Sequence, residues 1–475
     1  MADSRRDWIA AVACVVGAFG VAAAWVLSTA FVGISDDDAA RALIAWDFAH
    51  RPALDPTRSS WLPVHTYVLG AAMALTHEIA HTARALSVVG ALVATAVSLR
   101  VARGFGTRAG VGAVATLAAA LSAWSVFCAL APAVPEMPAV ALLCGATAML
   151  VRIDGSVPPV SHVAGAGVLL AAACGHRYEC WFASAGVVVG AGMLPGMRWK
   201  RVALLGVLAA SVPLAWLAMN HARAGNAFDF VRRVEAYRRA AAPLASRAER
   251  IAEFVRSVSV AAGAILAFAA LGVWALRRKS APVACALVST LVGLAWTEWR
   301  GGGPTHHAGR THVLAVWLAA PLAAAGLEFV WTSATRYGPV AKAATIVLAL
   351  VAVTQSAWGV RAPPHDVSRD AIAAGQWLRS ARTSHEPYGI ETSRYEFLWV
   401  EMLSGEPRDA RPDRPFGRPP PARDALLTRF RSVRLAAVHD LATAVILERD
   451  GFVQRARFGE WRLLARAVSA AAEPR

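Results

Sequence analysis

The sequence predicts an α-helical polytopic membrane protein, of about eleven transmembrane helices, with a small C-terminal α/β domain. Three observations carry this. Of 475 residues, 56% are hydrophobic and only 17% charged, a balance foreign to soluble domains. Apolar runs long enough for a bilayer, roughly 20 residues each, recur as far as residue 359. Beyond residue 360 the chain turns polar and Pro-containing, with short strand and helix patterns. There are 48 Lys and Arg against 32 Asp and Glu, a net charge of +16. Much of that excess lies in short loops between apolar runs, which is topology signal and speaks against a nucleic-acid partner.

The runs fall near 8–33, 84–102, 109–131, 136–151, 160–175, 181–195, 201–219, 257–276, 281–298, 312–331 and 340–359. The first follows a short basic start, Met1 to Arg6, and reads as an uncleaved signal anchor. The stretch 61–79 is ambiguous by hydropathy, and the positive-inside rule decides it. If 61–79 does not span, the loops holding Arg100, Arg103 and Arg108, Arg152, Arg198 to Arg201, Arg277 to Lys279, and Arg336 to Lys342 all face the cytoplasm. The stretch is then an interfacial helix inside one outer loop, 34–83, and Trp61, His65, His77, Glu78 and His81 suit the headgroup level. Residues 1–359 form the transmembrane domain, with a cytoplasmic N-terminus. Residues 360–475 form the extracytoplasmic α/β domain. The Ala- and Arg-rich composition fits a bacterium, and therefore the cytoplasmic (inner) membrane.

Residues 221–256 face out yet carry eight arginines. An amphipathic surface helix pair accounts for them, and so does a basic surface for lipid phosphates or an anionic acceptor. In the C-terminal domain, Ala371–Ser380 and Leu441–Arg449 read as helices, and Tyr388–Thr392 and Arg434–His439 as strands. The Pro-rich stretch Arg411–Arg423 reads as a disordered loop. The six cysteines show no CxxC or metal spacing, so no disulfide scaffold is expected, although Cys174 and Cys180 could pair.

Chemistry concentrates at four places. Asp36, Asp37 and Asp38 follow directly on the first apolar run, where charge is costly. Helix capping by Ser35 or Asp36 explains one or two acids but not three. Adjacent carboxylates raise one another's pKa, which favours a general base or a metal site. Glu136 opens a spanning helix at an outer turn, as a solvated helix-start acid or as a second acid facing a cavity. Arg177 and Glu179 lie at the next outer turn, paired with each other or in contact with substrate. Last comes the loop from Gly301 to His312, with His306, His307 and Arg310. Its histidines are irregularly spaced and no acid completes a set, so no metal site is expected there. Arg310 at a helix start beside glycine-exposed amides suits a phosphate. All four clusters fall on one side under a topology chosen from Lys and Arg alone.

With these residues in hand, positions 1–359 resemble the GT-C glycosyltransferase superfamily, in particular its dolichyl-phosphate-mannose–protein mannosyltransferases and lipid A aminoarabinose transferases. The resemblance rests on the acidic run after the first span, the Trp61-Leu62-Pro63 interfacial helix, the acid at the next outer turn, and the late His306-His307-Ala-Gly-Arg310 loop. Ala39 and Ala40 stand where the family pattern has an aromatic, which leaves open which two aspartates match. The resemblance implies inverting transfer of a sugar from a polyprenyl-monophosphate donor to a lipid, glycan or protein acceptor at the outer face. Asp36, Asp37 and Asp38 would supply the base, and Glu136, Arg177, Glu179, His306, His307 and Arg310 would bind substrate. Some superfamily members use a divalent cation such as Mg2+ or Mn2+ and others do not. Two other classes compete: a lipid or solute transporter, which would more often show repeated halves and midplane polar groups, and an inactive scaffold of the same fold.

Overall fold

A computed structural model describes residues 4–53, 59–153, 155–241, 246–301, 307–383 and 385–467. It contains helices α1 (Arg5–Ser28), α2 (Asp36–His50), α3 (Pro63–Thr76), α4 (Ala80–Gly104), α5 (Ala109–Ala120), α6 (Ala123–Leu130), α7 (Glu136–Leu150), α8 (Val160–Cys174) and α9 (Glu179–Gly192). There follow α10 (Trp199–Ala224), α11 (Asp229–Ala241), α12 (Arg247–Leu276), α13 (Ala281–Arg300), α14 (Val313–Tyr337) and α15 (Pro339–Trp358). By contacts the chain divides into two compact units. The first comprises 1–31, 53–65 and 84–363, and the second comprises 32–52, 66–83 and 364–475.

Unit 1 is helical throughout its described residues. Its helices begin where the sequence supplies caps: Ser4 with Asp7 before α1, and Ser246 with Glu249 before α12. Six helical stretches are long and apolar enough to cross a membrane, or seven if the bent pair α5–α6 is one span. One of the six, Arg247–Arg300, holds both α12 and α13, which meet at the turn Arg277–Ser280. Exposed Val21, Trp25, Val207, Leu214, Val260, Trp274, Val292 and Leu350 cover the outer faces of these helices. Apolar surface on that scale belongs against lipid tails. The protein is a multi-pass membrane protein.

The expected eleven crossings exceed this count. α7, α8 and α9 are only 15, 15 and 14 residues long, short of the roughly 20 that a bilayer asks. The run 109–131 is bent by 68° between α5 and α6 rather than straight. α14 is the buried centre, apolar on all sides from Val313 to Leu327. It packs on α12 through Gly326 and Gly272, where a Cβ on either would collide with the other helix's backbone. Gly186 and Gly190 of α9 meet the backbone of α13 at Cys285 and Ala281 in the same way.

Unit 2 ends in an α/β layer with α16 (Arg369–Ala381), α17 (Phe397–Leu403), α18 (Arg423–Arg429) and α19 (Leu441–Arg449). Its strands are β1 (Tyr388–Ile390), β2 (Ala410–Pro412), β3 (Leu435–Val438), β4 (Phe452–Phe458) and β5 (Trp461–Arg466). The sheet order is β2-β1-β3-β5-β4. β1 lies parallel to β2 and β3, while β5 runs antiparallel to β3 and β4. Leu426, Phe430, Val433, Val438, Leu447, Phe452 and Leu464 form its core. The expected loop 411–423 is corrected at its start. Ala410–Pro412 pairs with β1, and Asp413 and Arg414 are buried. Pro412 is tolerated because β2 is an edge strand. Asp413 takes hydrogen bonds from the Thr392 amide (2.9 Å) and hydroxyl (3.0 Å).

Candidate active site

The three aspartates open α2, in unit 2, and the structure gives each a different setting. Asp38 is fully buried and takes the Ile34 amide at 2.7 Å and the Ser35 amide at 3.3 Å. It is the N3 member of a capping box, so its carboxylate is occupied by the helix start. Arg41, one turn on, reaches both Asp37 (3.7 Å) and Asp38 (3.6 Å). The Asp37 side chain is 37% exposed, the most open of the Asp37–Asp38–Arg41 group.

Asp36 is half-buried against the start of α17. Gly33 marks how close that approach is, since a Cβ there would meet the Trp399 ring at 2.8 Å. Burial pushes the Asp36 carboxyl up to about 6. The charge of Glu396 adds to this, and Asp37 and Asp38 add less, while the Trp399 indole works the other way. Such a group changes its proton near neutral pH, as a general base must. Glu396 and Trp399 lie some 360 residues along the chain from Asp36 and were not singled out in the sequence. No local pattern marks them.

The second cluster lies in unit 1. Glu136 begins α7 and is only 4% exposed. Arg177 reaches its carboxylate at 3.0 Å, and Arg310 donates to the same oxygen. Arg177 also grips Glu179 with two nitrogens, at 3.0 and 2.6 Å. The turn between α8 and α9 therefore meets the start of α7 and the start of α14. Two acids and two arginines close into one charge-balanced network, and it lines a narrow cleft with Thr311 and Leu314. The internal Arg177–Glu179 pair exists and continues into Glu136 and Arg310.

Of the late loop, His306 lies outside the described residues. His307 adopts φ +56° and sets its ring 5.2 Å from Trp124. Gly309 fits under the same indole, where any Cβ would strike Trp124. Arg310 follows in a 3-10 turn that leads into α14 and is buried within the network. His312 is turned away toward α12, where the Ser257 hydroxyl meets its Nδ1 at 3.3 Å. Two buried histidines that were not singled out as ligands pack nearby in unit 1. His65 contacts the Ala133 carbonyl at 3.0 Å and stands edge-on to His176.

Among the described residues no three His, Cys, Asp or Glu side chains converge as a metal site requires. Cys174 and Cys180 are both free thiols, and Cys174 donates to the Ser184 hydroxyl at 3.2 Å instead of bridging.

No family model matches the chain, and no curated protein matches it. Its fold has solved counterparts. The structure of ArnT from Cupriavidus metallidurans bound to undecaprenyl phosphate superposes with a TM-score of 0.63 at 15% identity, over 99% of this chain and 100% of that one. The apo form of the same protein gives 0.61 at 14% identity, over 98% and 99%. The apo oligosaccharyltransferase of Archaeoglobus fulgidus gives 0.53 at 11% identity, over 90% of this chain and 69% of that one. At such identities the likeness is one of fold alone.

Proposed function

We propose that the protein is a membrane glycosyltransferase of the cytoplasmic (inner) membrane, with its N-terminus in the cytoplasm. It moves a sugar from a polyprenyl-monophosphate donor to a lipid, glycan or protein acceptor on the outer face, with inversion. The observation that carries this reading is Asp36, a half-buried carboxyl whose proton affinity is raised to the neutral range at the first turn of α2. The shared fold with a protein solved with undecaprenyl phosphate supports the choice of donor.

In this reaction the acceptor's O–H or N–H attacks C1 of the sugar. The C1–O bond to phosphate breaks, the electron pair leaves with the polyprenyl phosphate, and the proton passes to Asp36. Asp37, the open neighbour, orients the acceptor. Asp38 holds the turn in shape. Growing charge on the leaving phosphate needs hydrogen-bond donors. Arg310, Arg177 and His307 supply them, with Glu136 and Glu179 orienting the guanidiniums and His306 standing one residue away in sequence.

The test is turnover of undecaprenyl-phosphate sugars by the purified protein in detergent, followed as release of undecaprenyl phosphate. Asp36→Asn should abolish release, and Asp37→Asn should weaken it. Absence of release by wild type across a broad panel of donors and acceptors, with and without metal, would refute the reading and favour transport or a scaffold role.

A further inference from the structure

Within unit 2 the first turn of α17 packs on the first turn of α2. Gly33 lies so close to the ring of Trp399, which is fully buried, that a Cβ there would meet it at 2.8 Å. Glu396 stands immediately before α17 and is the strongest charged neighbour of Asp36. Its carboxylate is not free to swing away. Trp461, at the start of β5, donates its indole N–H to Glu396 Oε1 at 2.9 Å. His439, just after β3, brings Nε2 to 3.6 Å from the same oxygen and to 2.9 Å from Glu460. The α/β sheet thereby pins an acid beside an acid, an arrangement that costs free energy. Other charges around Asp36 are Asp37, Asp38 and Arg41 of its own helix. α3 approaches the far end of α2, where the Tyr67 ring packs at a tilt against Phe48, centroids 4.6 Å apart.

We propose that Glu396 is a positioning residue for the reaction at Asp36: held by Trp461, its charge keeps Asp36 a strong enough base to take the acceptor's proton. The C-terminal α/β layer is then part of the proton-transfer machinery. This rests on the functional reading above. It also makes a claim about the carboxyl itself that needs no substrate.

The experiment reads that carboxyl directly. A hydrophobic carbodiimide modifies protonated carboxyls, so labelling of Asp36 in the full-length protein in detergent, followed by mass spectrometry against pH, gives its midpoint. Asp36→Asn identifies the signal. Glu396→Gln keeps the acceptor oxygen for Trp461 but removes the charge. The midpoint should fall from about 6 by roughly one pH unit. Glu396→Asp should restore part of the fall. Trp461→Phe, which removes only the indole donor, should shift it the same way by less, and it serves if Glu396→Gln fails to fold. Turnover should drop several-fold in Glu396→Gln through kcat, with KM little changed. An unmoved midpoint beside an inactive Asp36→Asn would overturn this inference alone. Turnover that survives Asp36→Asn would overturn the functional reading and this inference with it.

Discussion

The acid turn of unit 2 gathers Asp36, Asp37, Asp38 and Glu396, and Arg41 reaches Asp37 and Asp38. The cluster of unit 1 matches Glu136 and Glu179 with Arg177 and Arg310. Balance separates them. Uncompensated carboxylates hold protons more tightly, which suits a group that must exchange one. Compensated ones fix their partners, which suits guanidiniums that must point in a set direction. The first arrangement costs stability, and the second does not.

Substitutions can break this contrast. The largest effect is expected at Asp36→Asn, where turnover should fall about 100- to 10,000-fold while the melting temperature holds or rises. A comparable loss of melting temperature would mean that the acid turn is structural after all.

Next comes Glu136→Ala. It strands two arginines beside each other, and losing one member of a buried ion cluster costs about 3–5 kcal/mol. Denaturation in detergent should register that loss even without substrate. A change below about 1 kcal/mol would indicate that water already screens the network.

The third effect is one of pH. The folded Asp36 carboxyl is raised to about 6 from an ordinary 3.8. Its contribution to stability is therefore complete below the ordinary value and lost as pH rises through about 6. Since the group is partly solvated, screening leaves about 1 kcal/mol of that. Turnover should run the opposite way, falling as pH drops through about 6. Turnover and melting temperature measured from pH 4.5 to 8 should cross in wild type, and the stability slope should flatten in Asp36→Asn.

The smallest effect belongs to Asp38. Asp38→Ala removes the acceptor for two amides and should cost about 1–2 kcal/mol. Asp38→Asn keeps an acceptor oxygen and should cost less. If Asp38→Asn stopped turnover as completely as Asp36→Asn, the division of roles among the three acids would be wrong.

Much of this was legible in the chain. The apolar runs place most of the long helices, and Leu441–Arg449 is a helix over those same residues. The hairpin β4–β5 was not read, although turn residues at Asp450-Gly451 and Gly459 flank the alternating Phe452–Phe458. Its outward arginines, Arg455 and Arg457, hide a strand with only one buried face. The break between α5 and α6 also gave no sign, because Leu121 and Ser122 are ordinary in an apolar helix.

By itself the sequence determined that the chain spans a membrane, that a small α/β layer follows, and that three aspartates stand together after the first span. Tertiary structure alone decided that Asp38 is spent on a helix cap, that Arg310 answers Glu136 across 174 residues, and that Glu396 crowds Asp36. The physical reason is range. Hydrophobic periodicity is a local property and survives in one dimension. The proton affinity of a carboxyl depends on which charges and how much water surround it, and the fold brings those from distant parts of the chain.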